Sequence, residues 1–254
     1  MSSPTLLIDA DVVAYIASLK PTAEEVIENI ERAVQFYRDR CDSSDILMCL
    51  SDAENFRKIL VSDTYKANRG PKPENYGVAM AHIEANYRIA RFPMLEADDV
   101  MGVLATSAPG DCIIVSIDKD MKQIPGRLFN PNKWQDGIVE ISQHDADLFF
   151  HTQVITGDST DGYPGIPGAG PKKAEKLLGL SGEHAPVELW RLVETAFIEY
   201  FAPKHIPPEN ACEFAKAFAL TQARLARILR AEDYDWVTEE LKLWTPFSEV
   251  SLKG

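Results

Sequence analysis

Apolar positions fall in two different rhythms along the chain. In the first half, short apolar runs are long enough only for buried strands: Thr5–Asp9 (TLLID), Asp45–Leu50 (DILMCL) and Asp111–Ser116 (DCIIVS). Between them the spacing turns helical. Ala23–Arg40 sets Val26, Ile27, Ile30, Ala33, Val34 and Tyr37 on one face. Glu74–Ile89, behind Pro73, and Glu96–Thr106 read as two further helices. This alternation predicts an α/β fold with a mostly parallel central sheet flanked by helices. After about residue 142 the strand-like runs nearly vanish. Gln143–Ile155, Pro171–Leu178, Pro186–Tyr200 and Pro208–Arg230 all read as helices. The chain therefore divides into an α/β core, residues 1–142, and a helical region, residues 143–254, with no internal repeat and no low-complexity linker.

Composition changes this picture little, and charge changes it more. The 254 residues are 45% hydrophobic and 26% charged, the balance of a globular protein. Asp9 and Asp11 interrupt the first apolar run, so it cannot serve as a signal peptide, and no window approaches the roughly 18 uncharged apolar residues of a membrane span. A soluble, cytoplasmic protein with no membrane partner is expected. Cys41, Cys49, Cys112 and Cys212 show no paired spacing, which argues against a disulfide framework or a thiolate zinc site. The net charge of −13 argues, at first sight, against a nucleic-acid partner.

The placement of the acids reverses that inference. Asp9 and Asp11 close the first strand, Asp52 follows the second, and Asp118 and Asp120 follow the third. Glu96, Asp98 and Asp99 open a helix, where the helix dipole favours them; Asp158 and Asp161 follow the helix ending near Ile155. Any one of these acids alone suits a turn or a helix cap, and Asp11 is read that way. As a set, however, they fall where ligands collect in an open parallel sheet, beyond the carboxyl ends of the strands. So many carboxylates share a site only if cations neutralise them, and oxygen-only ligation suits Mg²⁺ or Mn²⁺. Two such ions ~4 Å apart can clamp both oxygens of a phosphodiester exchange.

A second signal follows directly. Gly157–Lys173 (GDSTDGYPGIPGAGPKK) is dense in glycine and proline. Gly165, Gly168 and Gly170 permit close backbone approach, the helix opening at Pro171 presents its positive end, and Lys172 and Lys173 add charge. Such a turn suits gripping a nucleic-acid backbone without reading bases.

These motifs, in this order, resemble the 5′-nuclease superfamily of flap endonucleases and 5′→3′ exonucleases, most closely the 5′→3′ exonucleases of podovirus-type phages. The resemblance runs from Leu6 to about Pro246 through LLIDAD, LSDAENFRK, YKANRGPKP, EADDVMG, SIDKDMKQIP and TGDSTDGYPGIPGAGPKKA. It implies a PIN-like nuclease core with two metal ions, Mg²⁺ or Mn²⁺. Asp9, Asp52, Glu96 and Asp98 would lie around one ion, and Asp118, Asp120, Asp158 and Asp161 around the other, with Asp99 nearby. It further implies that Lys66 and Arg69 stand at the base of a short helical arch, residues 66–94, and steer the scissile phosphate. A helix–three-turn–helix over residues 157–180 would bind DNA through Gly165, Gly168, Gly170, Lys172 and Lys173, and can hold K⁺ through backbone carbonyls. Gln153 stands where several members have a lysine.

The implied activity is hydrolysis near the 5′ ends of duplex or 5′-flap DNA, with RNA–DNA hybrids as a further substrate. The products carry 5′-phosphates and 3′-hydroxyls. The implied molecule is a monomer, acting in the host cell cytoplasm if a phage encodes it. Neutralising the nine matched acids would leave a net charge of −4, which a local basic strip can coexist with. Two alternatives stand beside this reading. Asp9-Ala10-Asp11-Val12-Val13 also fits the nucleophile motif of haloacid-dehalogenase-type phosphatases, which would make Asp11 essential. A non-catalytic branched-DNA binding module would keep the hairpin alone. Trp134, Trp190, Trp236 and Trp244 read as packing residues, not base-stacking platforms. His82, His144, His151, His184 and His205 show no ligand spacing.

Overall fold

The computed structural model describes residues 3–179, 185–202 and 208–246, with side chains from 212 onward in the last range. Residue 180 of the expected helix–three-turn–helix, and His184 and His205, lie outside the described residues. The chain forms two compact units: Met1–Asn55 with Gly70–Gln143 and Ile228–Lys242, and Phe56–Arg69 with His144–Arg227 and Leu243–Gly254. One change of unit falls between Gln143 and His144; Phe56–Arg69 belongs with the helical unit and Ile228–Lys242 with the sheet unit.

In the first unit β1 (Thr5–Asp9) runs into α1 (Ala10–Ala17) and α2 (Ala23–Cys41), then β2 (Ile46–Cys49), α3 (Tyr76–Asn86), β3 (Ile89–Ala90), α4 (Ala97–Ser107) and β4 (Cys112–Val115). β5 (Gly126–Phe129), β6 (Ile138–Ile141) and the later hairpin of β7 (Tyr234–Asp235) and β8 (Glu240–Leu241) complete it. The six-stranded sheet has the order β3-β2-β1-β4-β5-β6. β3, β2, β1, β4 and β5 are mutually parallel and only β6 runs antiparallel, as the apolar runs predict for a mostly parallel sheet. Leu6, Ile8, Met48 and Val115 pack with Val26, Ile30 and Val34 of α2. A reciprocal cap starts α2, in which Glu25 N donates to Thr22 Oγ1 and Thr22 N to Glu25 Oε2, both at 3.2 Å.

α3 lies within residues 66–94, where the arch was expected. α3 places Ala79 and Ile83, one turn apart, fully buried in the same core, and it packs on α1 and α2. A helix with that much apolar burial is held as part of the core.

The return of Ile228–Lys242 to this unit has a local cause. Asp99, fully buried in α4, accepts from Leu229 N at 3.0 Å, and Gln123 Oε1 accepts from Ile228 N at 3.1 Å. Gly102 makes the crossing possible, since a Cβ there would lie 2.2 Å from Leu229 O.

The second unit is helical: α5 (Gln143–Thr156), α6 (Pro171–Leu178), α7 (Pro186–Phe201) and α8 (Pro208–Ala226). α8 stops at Ala226, four residues short of the predicted end, because the chain leaves to join the sheet unit. Val154, Ile155, Leu189, Trp190, Val193, Phe197, Ala219 and Ala223 form its core, and Tyr65 is buried among them. Arg57, also buried, explains why the 56–69 segment belongs here. Its guanidinium donates to Leu225 O at 3.1 Å and to Arg227 O, meeting the carbonyls at the end of α8. Among the described residues no helix is long and apolar enough to cross a membrane.

Candidate functional site

The parallel strands of the first unit align the predicted acids. β1 ends on Asp9, β2 is followed by Asp52 and β4 by Asp118, and these three strands are adjacent and point the same way. Asp9, Asp52 and Asp118 therefore lie along one carboxyl rim, at the position where the strand order reverses around β1. Asp9 is only 3% exposed. It caps α1, accepting from Val12 N at 3.1 Å, and it accepts from Ser116 Oγ at 3.0 Å. Burial, together with the charges of Asp11 and Asp118, pushes its carboxyl up to about 7, against the opposing pull of those two hydrogen bonds.

The neighbouring acids are held differently. Asp52 accepts from Met94 N at 2.8 Å, and this bond above all keeps its carboxyl below the ordinary range. Asp118 accepts from Asp120 N at 2.8 Å, starting the short turn Lys119–Gln123. Glu96 and Asp98 stand half-buried at the start of α4. The buried Cys49 thiol is raised by burial first, and Asp9, Cys112 and Asp98 raise it further, so Asp9 and Asp98 act on one point from two elements.

Three features differ from the expectation. Asp99 points into the unit, its oxygens accepting from Glu96 N at 3.2 Å and Leu229 N at 3.0 Å, so it fastens the scaffold beneath the rim. Asp11 accepts from Ser51 N and from Tyr76 Oη, both at 3.2 Å, so it supports the loop after β2 and α3 and does not cap α1, which Asp9 does. Among the described residues, no group of three or more Asp, Glu, His or Cys side chains is drawn together tightly enough to hold an ion as the side chains stand. The donor set nevertheless suits a hard divalent cation, being all oxygen and containing an acid raised first by burial and then by its acidic neighbours.

Sequence reasoning missed Ser116 and Ser51. Ser116 Oγ accepts from Asp118 N at 3.1 Å while donating to Asp9, and Ser51 Oγ accepts from Ala97 N at 3.0 Å. The only signal for either was a serine just past an apolar run.

The second unit carries the remaining predicted residues. Asp158 accepts from Thr160 N at 2.8 Å within the turn after α5. Asp161 pairs with Lys66 at 3.7 Å and with Arg69 at 3.1 Å, so the two basic residues and this acid come together. Lys66 N donates to Asp161 O at 3.0 Å, which holds the Lys66 backbone at its positive φ of 53°.

Gly165 does not offer its amide to a ligand: the N–H donates to Gln222 Oε1 at 2.9 Å. Its role is close packing, since a Cβ there would lie 2.4 Å from Gly157 N. Gly168 and Gly170 are exposed with open space around them, and Lys172 and Lys173 are exposed on the first turn of α6. Gln153, at the position of the family's lysine, is buried in α5.

An open parallel sheet with carboxylates along its carboxyl rim, accompanied by a helical unit with an exposed Gly-Lys turn, defines a nuclease of the resolvase-like α/β class. Residues 5–149 match the family model described as "5′-3′ exonuclease, N-terminal resolvase-like domain". The chain is 33% identical over 255 residues to the exodeoxyribonuclease of Enterobacteria phage T3, covering 89% of this chain and 82% of that protein. It is 32% identical to the exonuclease of Escherichia phage T7, covering 88% and 81%. The fold matches the bacteriophage T5 D15 flap endonuclease, solved in complex with DNA and metal ions, with a TM-score of 0.55 at 14% identity over 85% of this chain and 99% of that one. The chain belongs to the 5′→3′ exonuclease family and is an enzyme of the exonuclease and flap-nuclease class. The phosphatase and non-catalytic alternatives are set aside on that ground.

Proposed function

We propose that this chain is a metal-dependent 5′ nuclease that hydrolyses phosphodiester bonds near the 5′ ends of duplex or flapped DNA, leaving 5′-phosphates and 3′-hydroxyls. The observation that carries this reading is the rim of Asp9, Asp52 and Asp118 on adjacent parallel strands, with Asp9 buried among like charges. Asp9, Asp52, Glu96, Asp98, Asp118 and Asp120 would hold Mg²⁺ or Mn²⁺. Bound divalent ions supply a water nucleophile at neutral pH and absorb the charge of the departing oxygen. Ser116 orients Asp9, Ser51 holds the first residue of α4 beside Glu96 and Asp98, and Asp99 fixes α4 beneath them. The same oxygen chemistry assigns Asp158 and Asp161, on the turn of the second unit, to cation binding.

The second unit contributes the grip on the substrate. Lys172 and Lys173, beside Gly168 and Gly170, would bind backbone phosphates, and K⁺ would take backbone carbonyls around Gly165–Gly170. Arg69, more than half exposed, and Lys66 are oriented by Asp161 to meet a phosphate. A backbone grip of this kind extends to RNA–DNA hybrids, and one copy of the chain carries every residue it needs.

The test is cleavage of a 5′-labelled blunt duplex and a 5′-flap duplex, with Mg²⁺ and with EDTA, beside Asp118→Ala and Asp158→Ala. Mononucleotide release from the blunt end, or release of an intact flap, lost with EDTA and in both variants, is the expected result. Full turnover in either variant would remove that residue from the metal assignment. No cleavage of either substrate by the wild type would overturn the reading.

A further inference from the structure

The carboxyl rim of the first unit does not end at Asp52. β3 is the outermost strand beside β2 and parallel to it, and the chain leaving β3 turns at Phe92–Leu95. Leu95 N donates to Phe92 O at 3.2 Å, closing the turn around Pro93 and around Met94 at a φ of 61°. Asp52 clamps the turn from inside the rim. Its Oδ2 accepts from Met94 N and its own N–H donates to Leu95 O, both at 2.8 Å. The four neighbouring strand ends therefore lead, in spatial order, to Phe92, Asp52, Asp9 and Asp118.

Phe92 carries an aromatic cluster that hydrolysis does not account for. Its ring stacks on Tyr234 at 5.3 Å and 17°. Trp236 stands edge-on to both, 5.6 Å from Phe92 and 5.1 Å from Tyr234. Tyr234 and Trp236 belong to the β7–β8 hairpin, whose tip is stiffened by Asp235 accepting from Val237 N at 2.9 Å and Thr238 N at 3.3 Å. Tyr234 is buried, whereas Trp236 is 50% and Val237 92% exposed. The hairpin thus holds Trp236 half out of the core while its ring packs on Phe92 and Tyr234.

We propose that Trp236, supported by Phe92 and Tyr234 and flanked by Val237, is a stacking platform for one unpaired nucleobase of the DNA at the acidic rim. The inference rests on the nuclease reading and adds to it the group that positions the strand end. Three observations favour a base over other occupants. The exposed groups beside the rim, Trp236 and Val237, carry no charge to hold a phosphate and suit an uncharged ring. Two exposed side chains fall far short of the roughly 800 Å² per partner of a stable protein interface, but they match the face of a single base. Any base offers a π-face, so the platform is sequence-tolerant, as an enzyme working along a strand requires.

The experiment measures binding of a duplex with a short unpaired 5′ end, in Ca²⁺ to neutralise the rim, by fluorescence anisotropy. Its partner substrate is identical except for abasic sites in the unpaired residues. Trp236→Ala should weaken binding of the base-containing DNA on the order of tenfold and leave the abasic DNA unchanged, while Trp236→Phe should recover most of the loss. A Trp236→Ala variant that binds base-containing DNA as the wild type does, or that loses equally on both substrates, overturns the platform. Wild-type cleavage in Mg²⁺ is measured in parallel. If the wild type cleaves neither substrate, the nuclease reading fails and the platform with it; if it cleaves and Trp236→Ala is indistinguishable in binding, only the platform fails.

Discussion

Ser116 and Asp9, from neighbouring strands, share a hydrogen bond of 3.0 Å at the centre of the acidic rim. The same hydroxyl accepts from Asp118 N at 3.1 Å, so one small side chain sets the spacing of two carboxylate-bearing strand ends.

Ser116→Ala is therefore expected to cost more activity than stability. The buried hydroxyl leaves one acceptor and one donor without it, a loss of about 1–3 kcal/mol. The cleavage rate should fall on the order of tenfold or more, because the carboxylates lose their relative orientation. Thermal unfolding and single-turnover cleavage on the same preparation check this; an unchanged rate would remove Ser116 from the positioning of Asp9.

Asp9 makes the metal-free protein less stable as pH rises. Its carboxyl is raised in the fold from the ordinary 3.8 to about 7, so the folded state retains a proton that the unfolded chain gives up. Stability then falls with pH from about 4 to about 7 and is level above. Asp9→Asn keeps an acceptor for Val12 N and removes the charge. Its melting temperature, measured in EDTA, should exceed that of the wild type by a margin that widens from pH 4 to pH 7 and then holds constant, although the variant is inactive. A margin independent of pH would show that the charge of Asp9 is not the destabilising element.

Two glycines of one loop should respond to very different degrees. At Gly165 a Cβ would lie 2.4 Å from Gly157 N and 2.5 Å from Ile155 O, at a φ of 57°. Gly165→Ala should destabilise by about 3 kcal/mol or more, because backbone must move against backbone. Gly170 has open space where its Cβ would go. Gly170→Ala should stay within about 1 kcal/mol. Urea melts of both variants make the comparison, and equal losses would refute the close crossing of residues 157 and 165.

Lys172 and Lys173 should govern affinity and salt sensitivity with no effect on metal binding. The double alanine variant is expected to weaken duplex binding at moderate salt, and to flatten the slope of log K against log salt by about 1–2. Cleavage at saturating DNA should change little. An unchanged slope would show that these exposed lysines touch no phosphate.

Much of the fold was legible because burial acts element by element. The runs TLLID, DILMCL and DCIIVS each bury both faces of a strand, and the acids behind them are visible as soon as the runs are seen. β5 and β6 were not legible. Their four-residue segments, GRLF and IVEI, each carry a charged residue among the apolar ones, so neither stands out as an uninterrupted apolar run. α1 was hidden too, since Asp9 reads as the end of a strand and only the structure shows it also capping a helix.

The sequence by itself determined the mostly parallel sheet flanked by helices and which residues follow each strand, because each rests on residues close together in the chain. Tertiary structure alone decided that Asp99 faces inward, that Gly165 is sealed by Gln222, that α3 belongs to the core and that Trp236 stands exposed. Asp99 meets Leu229 across 130 residues, Asp9 meets Ser116 across 107 and Gly165 meets Gln222 across 57. Local periodicity reports which face of an element is buried. Which partner satisfies a polar group on it depends on long loops closing, and that closure carries no signature in the residues on either side.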